Sequence, residues 1–168
     1  MRDCNRALNS QSTGWHARAL VILVSAALFV CPGCQTIPPL ARVNTAEPGW
    51  SMRQGQGVWR VNTEAPEIAG EVFLASNSDG RALLQFTKNP LPFVTVQTSN
   101  DLWQIEFVPQ KRRFSGKSTP TPRLIWVHLA RALTGTKPHE PLTFSSSGQD
   151  WRMENLQSGE TISGFLNP

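Results

Sequence analysis

From residue 50 onward, polar and glycine-containing turn signals recur every eight to twelve residues, with short apolar or alternating runs between them. That rhythm leaves little room for a helical or doubly wound fold and points to antiparallel β structure. Strands are expected at 57–61, 68–76, 81–87, 93–98, 102–107, 142–145, 150–155 and 161–166. Asn77-Ser78-Asp79-Gly80, Ser99-Asn100-Asp101 and Gln157-Ser158-Gly159 have the polar and glycine content of hairpin turns.

Alternation within the runs assigns faces. Trp103, Ile105 and Phe107 fall on one side of their strand, and Leu102, Gln104 and Glu106 on the other. Ala82, Leu84 and Phe86 likewise oppose Arg81, Leu83, Gln85 and Thr87. Such strands make a sheet with one apolar face, which another layer must cover.

One segment has the character of that cover. Thr121 suits an N-cap, Pro122 the first helical position, and Gly135 with Pro138 a stop, which frames a helix over 122–134 (PRLIWVHLARALT). Ile125, Leu129, Ala132 and Leu133 fall at helical spacing, and Trp126 and Val127 widen the stripe. The expected fold is therefore mainly β (α+β), a curved antiparallel sheet or half-open barrel covered by one apolar helix.

The N-terminus reads as an address. Arg2, Arg6, His16 and Arg18 precede Ala19–Val30, an uncharged run of 12 residues. As a helix this run spans about 18 Å at 1.5 Å per residue, short of the roughly 30 Å hydrocarbon core of a bilayer, as an export signal requires. Pro32 and Gly33 then present Gly33-Cys34, a small residue before a cysteine, which resembles the lipobox of bacterial lipoproteins. The resemblance implies cleavage before Cys34 and acylation of its sulfur, with Cys31 standing where Leu is usual. Residues 1–33 are then a lipoprotein signal peptide, 34–49 a lipidated cysteine and Pro-rich tether, and 50–168 the β domain. Removal of Cys4 and Cys31 leaves Cys34 as the one cysteine, so no intrachain disulfide is expected.

Three of the 16 Lys and Arg and one of the 12 acids lie in the signal, so the remaining 135 residues carry a charge of about +2. That balance does not suggest a nucleic-acid partner. The length suits one domain with a core that needs no metal or disulfide. Six Trp, eight Phe and no Tyr is a skewed aromatic set, compatible with a core, an interface or a membrane boundary.

Catalytic patterns are absent from the expected mature chain. From Cys34 onward there is no HExxH, CxxC pair, GxSxG or phosphate-binding glycine loop, and Gly55 and Gly57 make only a G-x-G fragment. His128 lies among apolar helical neighbours, where a packed role is the ordinary one. The reading is of a protein that is not an enzyme and takes no cofactor. The densest charge feature is Lys111, Arg112 and Arg113 with Lys117, read as a loop between a strand and the helix and as a candidate membrane-surface patch.

Lipobox, tether, Trp-rich amphipathic sheet and apolar helix together resemble the lipoprotein-localisation family, which comprises the periplasmic carrier LolA and the outer-membrane receptor LolB. Asn100-Asp101-Leu102-Trp103-Gln104-Ile105-Glu106-Phe107, followed by Lys111-Arg112-Arg113, looks like the family's sheet strands, and Trp126 falls on what would be a lid or plug helix. The resemblance implies a concave face that accepts the acyl chains of a lipoprotein in transit. Trp103, Ile105, Phe107, Ile125, Trp126, Leu129 and Leu133 are the residues expected to line such a site. The partners expected are the membrane, through the lipid on Cys34, and an acyl chain or lipoprotein as ligand. The alternative is an anchored protein whose solid core docks another envelope protein. Gln35 after the cysteine, rather than Asp, suits the periplasmic face of the outer membrane under the familiar sorting rule.

Overall fold

The computed structural model describes residues 39–168; the expected signal segment and Cys34 lie outside the described residues. The chain forms β1 (Trp50–Arg60), β2 (Ile68–Asn77), β3 (Arg81–Lys88), β4 (Leu91–Ser99), β5 (Leu102–Phe107), β6 (Arg112–Lys117), α1 (Ile125–Leu133), β7 (Leu142–Ser147), β8 (Asp150–Asn155) and β9 (Glu160–Asn167). All nine strands join one antiparallel sheet in the order β6-β5-β4-β3-β2-β1-β9-β8-β7. The sheet is open and curved, with β6 and β7 as its free edges. The α1 helix packs against β3, β4 and β5 on one wing and β7 and β8 on the other, so the sheet bends around it. The mainly β half-barrel with one covering helix is the fold expected from the alternation.

Register explains how the inner face becomes continuous. Ile105, Val96, Leu84 and Leu74 lie opposite one another across four strands, and Phe107, Val94, Phe86 and Val72 form the next row. Every residue of these rows except Phe107 is buried to 1% exposure or less. A one-residue slip anywhere would turn a whole strand's apolar set to solvent, so the pattern fixes the pairing.

A third row carries glycines. Gly70, Gly57 and Gly164 are neighbours on β2, β1 and β9, and Trp151 of β8 lies beside Gly164. A Cβ at Gly164 would sit 2.1 Å from the Gln56 carbonyl oxygen and 2.9 Å from the Trp151 ring. The missing side chain is what lets the backbones approach and the indole cover the gap. Trp103 covers Gly116 in the same way across β5 and β6, where an added Cβ would lie 2.3 Å from the ring. Glycine relieves the sheet where it curves and an aromatic restores the lost packing.

Three boundaries differ from the sequence expectation. β1 begins seven residues before 57, because Trp50–Gln56 pairs along β2 although only Trp50 and Met52 of these seven are large apolar residues. The basic run read as a loop is strand β6, held by backbone pairing to β5 and by one aromatic, Phe114, opposite Ile105. The helix starts at Ile125 rather than 122, because Pro120, Thr121 and Pro122 are engaged elsewhere. His128 Nε2–H donates towards the carbonyl oxygens of Pro120 (3.2 Å) and Thr121 (3.3 Å), and Asn155 Nδ2 donates to that of Pro122 (3.1 Å). Those bonds hold the segment as a turn, and Leu124 takes the N-cap position without a capping side chain. Gly135, with φ +102°, ends the helix as expected.

The part of the tether that is described lies on the domain instead of standing free. The Leu40 N–H donates to Gln104 Oε1 (3.1 Å), Glu47 pairs with Arg81 (3.2 Å), and Asn44 closes a turn with Ala46 and Glu47.

Candidate functional site

The interior of the half-barrel is where the expected binding residues meet. Trp103, Ile105, Ile125, Trp126 and Leu129 belong to one buried cluster, at 9%, 0%, 0%, 1% and 0% exposure. Phe107 and Leu133 pack against its margin, partly buried. Trp126 projects from α1 into the sheet, edge-on to Trp59 (centroids 5.5 Å, 78°) and 5.0 Å from Phe86, while Phe93 closes on Trp59 at 5.9 Å. The helix side chains thus occupy the concave face.

Two chemical features stand out in this apolar space. First, the indole Nε1–H groups of Trp103, Trp126 and Trp151 are buried with no hydrogen-bond partner among the described residues. A buried donor without an acceptor is uncommon and marks a place where a further acceptor, such as water or a ligand carbonyl, would be stabilised. Second, Trp59 Nε1–H does have a partner, the Glu160 carboxyl at 2.8 Å. Glu160 is 9% exposed, and burial pushes its pKa up to about 7 against the modest opposing effect of that one hydrogen bond. Burial likewise holds the His128 ring below its ordinary pKa, in keeping with a packed and neutral imidazole that clasps the turn before α1.

The interior meets solvent beside the C-terminal end of α1. A groove of about 390 Å³ lies there, lined by Leu133, Phe144, Trp151 and Leu166, with Arg53 and Asp150 at its rim. A larger polar groove of about 690 Å³ opens between the ends of β1–β4 and the helix C-terminus, with Arg131, Ser51 and Thr98 in its lining. Burial holds the Arg131 guanidinium below its ordinary pKa while Asp101 opposes the shift, and its Nη2 has no partner among the described residues.

The basic residues expected at a membrane surface come together on the β6 edge and its preceding turn. Lys111, Arg112, Arg113 and Lys117 are all exposed. Arg113 pairs with Glu106 (2.7 Å), and Arg112 lies over the Phe114 ring at 5.2 Å. Cys34 lies outside the described residues.

The sequence reading passed over Trp59, Trp151, Glu160 and Leu91. Strand alternation could have placed Trp59 and Trp151 on the inner face, but their two adjacent rows, Trp59 with Ile162 and Met153 and Trp151 with Gly164 and Gly57, exist only once β1, β9 and β8 are paired. Leu91, 67% exposed at the β3–β4 turn, sits in Asn89-Pro90-Leu91-Pro92, which reads as a turn and nothing more. Among the described residues, no three His, Cys, Asp or Glu side chains converge as metal ligands, and no helix is long and apolar enough to cross a membrane. The chain matches no protein-family model and no curated protein sequence.

Proposed function

We propose that this chain is a lipid-anchored, non-enzymatic binding protein of the bacterial cell envelope, held at the periplasmic face of the outer membrane through Cys34. Its half-barrel binds an acyl chain or comparable apolar ligand, in the manner of the lipoprotein-localisation family it resembles. The α1 helix takes the ligand's place in the free protein. The observation that carries this reading is α1 itself, a nine-residue helix without a capping side chain whose apolar residues fill the concavity of an open sheet.

The magnitudes make an exchange reasonable. Exposing Ile125, Trp126, Val127 and Leu129 costs about 1.5–3 kcal/mol each, or roughly 6–12 kcal/mol in all. Shielding about 15 methylenes of a fatty chain returns roughly 12 kcal/mol at about 0.8 kcal/mol apiece. The two are close enough for a bound chain to displace the helix, and the unpartnered indoles supply donors for its ester or amide carbonyl.

A second reading, an anchored protein with a solid core that docks another envelope protein, is favoured by the complete burial of Ile125–Ala130 and by the exposed Leu91 at a hairpin tip. Native mass spectrometry separates the two. Under the binding reading the Cys34→Ser protein carries an apolar ligand or brightens an apolar dye; ligand-free protein that leaves the dye dark supports the solid core. The anchor has its own test. Metabolic palmitate labelling is expected for the native protein and absent for Cys34→Ser, and equal labelling of both would remove the anchor from the account.

A further inference from the structure

Where the tether bonds to the domain limits how an anchored domain can face its membrane. Pro39 is five residues beyond Cys34, so no more than about 17 Å of extended chain separates them. The next residue, Leu40, is bonded to Gln104 on β5, the strand beside the β6 edge. With fatty chains on Cys34, the β5–β6 margin lies within reach of the headgroups.

The chemistry of the two free edges is unequal. β6 and its turn carry Lys111, Arg112, Arg113 and Lys117, with Phe114 38% exposed among them and Arg42 two residues beyond Leu40. Glu106, paired with Arg113, and Asp101, whose carbonyl accepts from the Ser118 N–H, are the acids of that margin. β7, at the other end of the sheet, is Leu142-Thr143-Phe144-Ser145-Ser146-Ser147 and has no charge. Arg113 and Lys117 lie on the outer face of their strand, opposite Glu106 and Leu102, while Arg112 and Phe114 lie on the inner face, opposite Phe107 and Ile105. Basic groups therefore flank β6 on both sides. An edge-on strand with cations to either side and an aromatic at its rim matches a surface of anionic headgroups over hydrocarbon.

We propose that β6 is the surface this domain lays against an anionic bilayer, edge-on, with Arg112, Arg113 and Lys117 meeting lipid phosphates and Phe114 the headgroup boundary. The proposal rests on the lipid at Cys34 and adds an orientation to it, in which the open margin of the half-barrel faces the membrane.

The test uses the lipidated protein in phosphatidylcholine vesicles with and without phosphatidylglycerol, labelled through Ser115→Cys or, at the far edge, Ser145→Cys. Nitroxide-headgroup lipid is expected to quench the label at 115 several-fold more than the label at 145, and more so with phosphatidylglycerol present. Equal quenching at the two positions overturns the proposal. In parallel, flotation of the Cys34→Ser protein reads the strand's own affinity for phosphatidylglycerol vesicles. Arg112→Glu with Lys117→Glu is expected to lower that affinity by at least about 30-fold, and raised salt to mimic the loss. An affinity indifferent to lipid charge and to the double reversal overturns the proposal while leaving the anchor in place. Absence of acyl mass on the native N-terminal fragment would instead remove the anchor, and the flotation result would still decide what β6 does. Phe114→Leu keeps an apolar residue on the strand and controls for folding.

Discussion

Trp126→Ala is expected to lower unfolding stability by about 3–5 kcal/mol, a large share of the roughly 5–15 kcal/mol available to a domain. The indole is 1% exposed and reaches from α1 to Trp59 of β1 and Phe86 of β3, so truncation opens a cavity where three aromatic rings meet. Thermal unfolding followed by circular dichroism should show a fall in Tm of roughly 10–20 °C. Trp126→Phe retains most of the packing and should recover more than half of the loss. A native-like Tm for the alanine variant would mean that α1 contributes little to closing the half-barrel.

Glu160→Gln is expected to stabilise the protein, and to do so more as pH rises. The carboxyl's folded pKa of about 7 lies above the ordinary 4.5, so the folded state holds a proton that the unfolded chain has already released. The contribution is fully present below pH 4.5, is lost as pH climbs through 7, and then levels off. About 3 kcal/mol of stability at stake corresponds to that difference. Glutamine is neutral throughout, and its amide oxygen still accepts from Trp59 Nε1–H. Denaturant unfolding at pH 4.5 and pH 8 should show the variant's advantage growing by about 3 kcal/mol between them. An advantage equal at both pH values would place Glu160 in a far more solvated setting than 9% exposure implies.

What the sequence made legible, and what it did not, follows from where each signal resides. Alternation is a local signal, so Trp103, Ile105 and Phe107 could be assigned to one face before any pairing was known, and they do share the inner face with Leu84 and Phe86. The apolar helix was legible for the same reason, through the spacing of Ile125, Leu129 and Leu133. β6 was not legible, because Arg112-Arg113-Phe114-Ser115-Gly116-Lys117 has a single apolar residue, and its pairing is supplied by β5. The first turn of the helix was misplaced because Thr121 and Pro122 satisfy every local rule for a helix start. Their carbonyl oxygens are instead taken by His128 and Asn155, and the latter is 33 residues away in sequence. Gly164 and Trp151 show the same limit. A glycine within a strand reads as a weak point until the partner strand shows that an indole lies over it.

Space was the property least accessible from residue types. The sequence named the residues that surround the interior but could not say what fills it, since the same apolar stripe serves a plug helix and a permanent core. The structure places the helix in the concavity, and the functional proposal depends on whether α1 leaves that position when an apolar ligand arrives.

Hydrogen–deuterium exchange of the α1 amides, with and without a palmitoylated peptide at saturating concentration, tests that dependence most directly. Displacement by the fatty chain predicts faster exchange across Ile125–Leu133 on binding, while β3 and β4 stay protected. Peptide binding with unchanged or stronger protection of α1 would contradict it.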